Sequence, residues 1–364
     1  DSGQAERAAT MKSNERNFAT PTFERSVTSY PARWRFKPGA FDPSVPFVPG
    51  VKDAIDIHCH AHDGCQDPFG VAKLASLSGM RGLLYKSIVG RENPPKSARE
   101  MKAKLDDWAA AQANVRPIEV WAGCHVAQGF QKPVDPARIR FLLGEGAAAV
   151  WMPSLNSANS LAVVGTRKMW LDKTADPEAI TGPLSWEESK KLGHYRLDDS
   201  GKLRPEYEEI IRMTIDHGAA LFLGHVAHDE LWAMAELVNK LGFKRAVVDH
   251  PFSPFVNLSI DDMKRAASAG LWLNFTFDEL SPMLGADPAV MYQAIREVGP
   301  QHCTLSSDTG EAVFPNSVEA MRLMRGHMSG FGCSDEELTA LCTTNPAFIV
   351  GYALQAEKVA RAAE

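Results

Sequence analysis

The stretch Ala54-Ile55-Asp56-Ile57-His58-Cys59-His60-Ala61-His62 is an apolar run whose end is loaded with imidazoles two residues apart. Residues i and i+2 of a β-strand leave it on the same side. His58 and His60 are therefore expected to leave together and to ligate one ion from the inside of a barrel. A pair of this kind arises often by chance in a chain with 11 histidines. Its weight comes from its place at a strand end and from what the rest of the chain supplies.

Outward from this stretch, short apolar runs alternate with amphipathic segments, which is the sequence form of repeated βα units around a parallel sheet. Strands are expected at 54–57, 82–85, 118–122, 147–152, 219–223, 245–248, 271–275 and 303–305. Apolar residues at helical spacing predict helices at 68–78, 97–112, 135–143, 205–216, 229–241, 260–269 and 288–298, then at 317–328 and 335–342. Gly79, Gly242 and Gly270 stand just before strands, where a helix end favours positive φ. The alternation predicts an α/β fold, a (β/α)8 TIM-type barrel spanning residues 51–354. Two segments break it. Residues 1–50 hold Pro31, Pro38, Pro43, Pro46 and Pro49 among seven aromatic residues and read as an irregular N-terminal arm that wraps a neighbouring subunit, in preference to the barrel itself. Residues 153–203, after strand four, are too long for an ordinary strand-to-helix loop and read as an insertion at the barrel mouth, closing in a hairpin with its turn at Asp199-Ser200-Gly201. Residues 355–364 read as a C-terminal tail.

A formal net charge of -6 argues against a nucleic-acid or membrane-surface binder and leaves a small molecule as the expected partner. The six cysteines show no CxxC spacing and read as reduced thiols. No apolar stretch approaches membrane length. The chain is expected in the cytoplasm, with an export signal already removed as the alternative to that reading.

The remaining histidines turn the opening pair into a constellation. His225 closes the run Ala220-Leu221-Phe222-Leu223-Gly224, His250 follows Ala246-Val247-Val248-Asp249, and Asp308 follows Cys303-Thr304-Leu305-Ser306-Ser307. Four separate strand ends thus carry imidazole or carboxylate groups, whereas structural histidines fall at random with respect to strand ends. His228 competes with His225 but lies at the start of a helix, while His62 has the parity of His58 and His60 yet lies past the strand, within reach of substrate. Alternation points Asp249 away from His250, which makes it a helix cap or a support for a ligand. His125 ends strand three and is expected to line the pocket; His194, His217, His302 and His327 receive no role.

With these residues in place, the chain resembles the amidohydrolase superfamily, whose pattern is HxH on strand one, His on strands five and six, and Asp on strand eight. The likeness covers most of residues 53–351. It is nearest to a little-characterised family of predicted metal-dependent hydrolases, through Asp56-Ile57-His58-Cys59-His60, Gly79-Met80-Arg81-Gly82-Leu83-Leu84-Tyr85-Lys86-Ser87, Val150-Trp151-Met152-Pro153-Ser154, Ser306-Ser307-Asp308-Thr309-Gly310 and Asn345-Pro346-Ala347. The resemblance implies that His58, His60, His225 and Asp308 are metal ligands and that His250 binds a second ion or acts on substrate. Many two-metal members place a bridging Lys or Glu at the end of strand four. Trp151 and Met152 cannot bridge, so one ion is the simpler expectation, with two as the alternative. Lys86, ending strand two, is read as the partner of a substrate carboxylate, against a carbamylated ligand or a plain rim lysine. A divalent ion is implied, zinc first and manganese second. The expected reaction is hydrolysis of an amide, lactone or ester bond in a small aromatic or anionic substrate, with Asp308 moving protons and His250 assisting. The rival readings are non-oxidative decarboxylation of an aromatic or unsaturated acid and, behind it, a metal-binding protein without catalysis.

Overall fold

The computed structural model describes residues 50–62, 65–88, 92–127, 133–165 and 182–353. Within them run eight strands: β1 (Ile55–Ala61), β2 (Gly82–Ile88), β3 (Glu119–His125), β4 (Ala149–Trp151), β5 (Ala220–Phe222), β6 (Ala246–Asp249), β7 (Trp272–Thr276) and β8 (Cys303–Ser306). The helices are α1 (Pro68–Leu77), α2 (Pro94–Ala110), α3 (Pro136–Gly144), α4 (Ala158–Val164), α5 (Trp186–Leu192), α6 (Pro205–Asp216), α7 (His228–Lys240), α8 (Ile260–Ser268), α9 (Pro288–Val298), α10 (Ser317–Phe331), α11 (Asp335–Thr339) and α12 (Asn345–Ile349). Helix starts follow local chemistry. Asp67, Asn93, Asp135 and Asp287 each precede a proline, and each side chain accepts a backbone N–H of the first turn. The acceptor satisfies an orphan donor and the proline presets φ.

All neighbouring strands from β1 to β8 pair in parallel and in chain order. The last gap is laced by the Asp308 amide donating to the His58 carbonyl (2.8 Å) and the His60 amide donating to the Thr309 carbonyl (3.0 Å). The buried Asp56 carboxylate reinforces the lacing by accepting from the Ser307 amide (3.1 Å) and hydroxyl (2.5 Å). The result is the expected (β/α)8 barrel.

Two apolar layers hold it. One lies between strands and helices and includes Leu83, Tyr85, Val150, Leu221, Val248 and Leu305. The other joins Ile55, Ile57, Leu84, Trp151, Phe222 and Val247 with Ala347 and Ile349 of α12, so the final helix packs on the cluster formed by the strands. The Trp151 indole is stacked on Phe222 with ring centroids 4.2 Å apart. Gly123 on β3 makes room for it, because a Cβ there would stand 2.1 Å from the indole.

Departures from the sequence reading are local. β4 and β5 are only three residues long. The insertion holds two short helices, α4 and α5, that the sequence reading missed, while its hairpin is present, with Leu197 paired to Leu203. The expected helix 335–342 is interrupted: a π-turn at Ala340–Thr344 follows α11, and beyond it Asn345 donates to the carbonyls of Pro300 and Cys303 (2.9 and 2.8 Å). That tie to β8 draws the chain off the regular helical path. The six cysteines are free thiols. Among the described residues no helix is long and apolar enough to cross a membrane. The N-terminal arm up to residue 49, residues 166–181 of the insertion and the tail from 354 lie outside the described residues.

Candidate metal centre

Simple alternation does not bring the candidate ligands together; backbone irregularities at four strands complete the work. In β1, pairing with β2 shifts between Asp56 and Cys59 and again before His60. The bulge lets Ile57 join the interior cluster while the His58 ring also faces inward, 5.6 Å from Trp151 and 6.4 Å from Phe222. After β5, Gly224 takes φ 65° and turns His225 back toward the axis; a Cβ there would meet the Met152 and Pro153 carbonyls at 2.5 and 2.6 Å. His250 (φ 33°) and Asp308 (φ 46°) are themselves in the left-handed region. Non-glycine residues reach it rarely, and such conformations gather at functional sites.

Three of the five side chains, His58, His60 and Asp308, meet at ligand distance, while His250 borders them and His225 lies beside His250. Asp308 Oδ1 lies 3.0 Å from His58 Nε2 and 2.9 Å from His60 Nε2, and Asp308 Oδ2 lies 3.9 Å from His250 Nε2. The His225 and His250 rings are 5.0 Å apart, and those of His58 and His250 6.0 Å. Ligand atoms of His58, His60 and Asp308 all fall within 4.8 Å of one another.

A ring of supports fixes these groups. Asp249 is fully buried and receives three of them: His58 Nδ1 at 3.0 Å, the Trp151 indole N–H at 3.0 Å and the Asn274 amide at 2.9 Å. This corrects the reading that pointed Asp249 away from the site: the positive φ of His250 lets two consecutive residues both face the centre. His225 Nδ1 pairs with the Ser160 hydroxyl (2.6 Å) and its ring stacks on Phe255 (4.3 Å). His250 Nδ1 pairs with the Ser253 hydroxyl (2.9 Å).

The electrostatics suit a cation. With Nδ1 committed to Asp249, His58 Nε2 is buried without a hydrogen-bond donor of its own to meet, facing a carboxylate oxygen. Two acceptors at that distance need a proton or a cation between them. Burial lowers the His58 affinity for a proton, but the charges of Asp249 and Asp308 outweigh it and push the pKa up to about 9. Burial holds His60 and His225 below the ordinary imidazole range and His250 down to about 4, so these rings are neutral near pH 7 and ready to ligate. Asp308 is ionised: burial opposes its charge, yet the His58 charge and the hydrogen bonds of His58 and His60 hold it well below the usual carboxylate range. The donor set, imidazole nitrogen plus carboxylate oxygen, fits a divalent ion such as zinc.

Lys86 is buried and takes part in the electrostatics of Asp308, Asp249 and all four of these imidazoles. No carboxylate among the described residues lies within ion-pair distance of its ammonium. The His62 ring stands 6.1 Å from His60 and contacts the Cys65 thiol (3.4 Å). His228 begins α7 and its Nε2 lies 3.2 Å from the carbonyls of Val256 and Asn257, so it serves the loop after β6. His125 stacks on Trp151 and reaches the Lys86 carbonyl (3.1 Å). Sequence reasoning missed Ser160 and Asn274.

The family of unknown function DUF6282 matches residues 53–274. No curated protein matches the chain. Among solved structures, the chain is similar to an amidohydrolase from Pseudomonas aeruginosa, at 12% identity over 82% of this chain and 95% of that one, with a TM-score of 0.53. It is also similar to a variant of organophosphorus hydrolase from Deinococcus radiodurans (13% identity, 82% and 93% covered, TM-score 0.46). A third is N-acetyl-D-glucosamine-6-phosphate deacetylase from Mycobacterium smegmatis (15% identity, 84% and 78% covered, TM-score 0.43). The first shares its fold with this chain.

Proposed function

We propose, for a chain that belongs to the DUF6282 family of unknown function, that this barrel is a metal-dependent hydrolase of amide, lactone or ester bonds in a small anionic substrate. The observation that carries the reading is the convergence of His58, His60, His225, His250 and Asp308 from four strand ends. His58, His60, His225 and Asp308 would hold the ion, with zinc as the first choice and manganese as the second. Trp151, bound to Asp249, stands where a bridging ligand would have to come from β4, which favours a single ion. Once bound, a divalent ion supplies Lewis acidity and makes water easier to deprotonate.

The chain's own groups do the rest. Asp308, ionised and beside three imidazoles, takes a proton from the attacking water. Neutral His250, held by Ser253, is placed to steady charge growing on the attacked group. Lys86 meets a carboxylate or other anion of the substrate, and the partly exposed Phe255, stacked on His225, suits a planar body.

The test is metal analysis of protein purified without added metal, followed by chelation, reloading with zinc or manganese, and a panel of carboxylate-bearing aryl esters, lactones and amides. His225→Ala and Asp308→Ala are expected to lose bound metal and to lower turnover by about 10³-fold or more. Intact metal content and turnover in both variants would remove the assignment. The absent bridge from β4 also favours a second reading, decarboxylation of an aromatic acid, in which the ion and Lys86 grip the carboxylate. Carbon dioxide release without oxygen from labelled water entering the product would select it.

A further inference from the structure

His225 is held from outside the barrel, by the segment between β4 and α6. Its amide donates to the Pro153 carbonyl (3.1 Å), and the buried Arg196 guanidinium donates to its carbonyl (3.2 Å). Helix α4 adds two consecutive side chains. Ser160, fully buried, places its hydroxyl 2.6 Å from His225 Nδ1. The Asn159 amide spans two loops, donating to the carbonyls of Val226 (3.2 Å) and Phe255 (2.5 Å). Val226 directly follows His225, and the Phe255 ring lies on the His225 ring, 4.3 Å between centroids and 7° from parallel. One turn of α4 thus reaches the edge of the imidazole through Ser160 and its face through Asn159 and Phe255.

A serine hydroxyl has one proton to give and two lone pairs to accept with. The Ser160 proton goes to the Ser154 carbonyl (2.9 Å), a group that can only accept. One of its lone pairs is taken by the Ser157 hydroxyl (3.1 Å), and Ser157 in turn accepts the Ser160 amide as the cap of α4 (3.1 Å). What Ser160 has left for His225 is an acceptor, so Nδ1 carries the ring proton and Nε2 the lone pair. Resting on the metal reading above, we propose that α4 is a positioning element of the centre: Ser160 fixes His225 as an Nε2 ligand, and Asn159 holds the direction of the ring through Val226 and Phe255. A ligating imidazole takes its tautomer and orientation from the partner of its other nitrogen. For His58 that partner is Asp249, at the end of β6 in the barrel wall. For His225 it belongs to the insertion, which makes the insertion part of the metal centre as well as of the barrel mouth. Displacing α4 loosens His225 alone, because His58, His60 and Asp308 meet without it.

The experiment needs no turnover. The chelated full chain, with its histidine nitrogens isotope-labelled, is read by long-range proton–nitrogen NMR at about pH 8, above the ordinary imidazole range. His225 is assigned by its absence from His225→Gln. In the wild type its Nδ1 is expected at the position of a protonated ring nitrogen and its Nε2 at that of a bare one. Ser160→Ala should draw both signals toward the average of two tautomers and weaken zinc binding, measured by chelator competition, by about 10–100-fold. Ser160→Thr keeps the hydroxyl and should restore most of the signal pattern and of the affinity. Asn159→Ala should weaken zinc while leaving Nδ1 protonated, which separates the two grips and decides the matter together with the wild-type tautomer should Ser160→Ala fail to fold. An Nε2 proton in the wild type, or variants of Ser160 and Asn159 that bind zinc as the wild type does, overturns the proposal and leaves the metal reading standing. A wild type with the expected tautomer that takes up no zinc overturns the metal reading instead.

Discussion

Asp249 shows how much of a metal site rests on a residue that touches no metal. It accepts from His58, Trp151 and Asn274 at once, and so sets which nitrogen of His58 faces the centre. Asp249→Asn keeps the shape and removes the charge. Metal affinity, measured by competition with a coloured chelator, is expected to fall about 10–100-fold; an unchanged affinity would make Asp249 a bystander. The candidate ligands stood out in the sequence because His58, His225, His250 and Asp308 each close an apolar run. Asp249 was legible as a support for a ligand, which it is, but not in its direction. Alternation assumes extended backbone throughout, and nothing in the letters Val248-Asp249-His250 announces the φ of 33° that turns both side chains inward.

At the scale of elements, the loops after β4 and β5 are bound to each other by one fully buried arginine. Arg196 forms an ion pair with Glu230 of α7 (2.9 Å) and donates to the carbonyls of Pro153, Leu223 and His225. Arg196→Ala leaves Glu230 buried without its charge partner, so the fold is expected to lose about 3–5 kcal/mol, read as a lower urea midpoint. The His225 carbonyl loses its anchor in the same variant, and weaker metal binding should accompany the loss. A midpoint within error of the wild type would mean that water replaces the guanidinium at no cost. Element order was readable from periodicity and from the glycines before strands, and α6 and α9 begin and end where the sequence placed them. The two helices of the insertion were not. At seven residues each they are too short for periodicity to declare, and their starts are marked only by the caps of Ser157 and Ser185.

Across the whole molecule, buried titratable groups tie stability to pH in the metal-free protein. Burial pushes Glu279 up to about 8 from an ordinary 4.5, and His58 stands at about 9 against 6.5, the nearby carboxylates prevailing over burial. Both groups hold protons in the folded chain that the unfolded chain has released, so each contributes less as pH rises toward its folded value. His250, at about 4, acts in the opposite sense, but only below its ordinary 6.5. Between about pH 6.5 and 9 the urea midpoint of the chelated protein is therefore expected to fall; a flat or rising midpoint would contradict these two shifts. The (β/α)8 architecture was legible from eight alternations, but the manner of its closure was not, since no repeat in the sequence marks which residues join last to first. That seam has its own consequence. β1 and β8 meet through two backbone hydrogen bonds and the Asp56–Ser307 contacts, and His58, His60 and Asp308 stand on either side of it. A cation gripped by all three would act as a rivet across the one line where the cylinder is stitched instead of woven, so that loading the centre and tightening the wall become a single event.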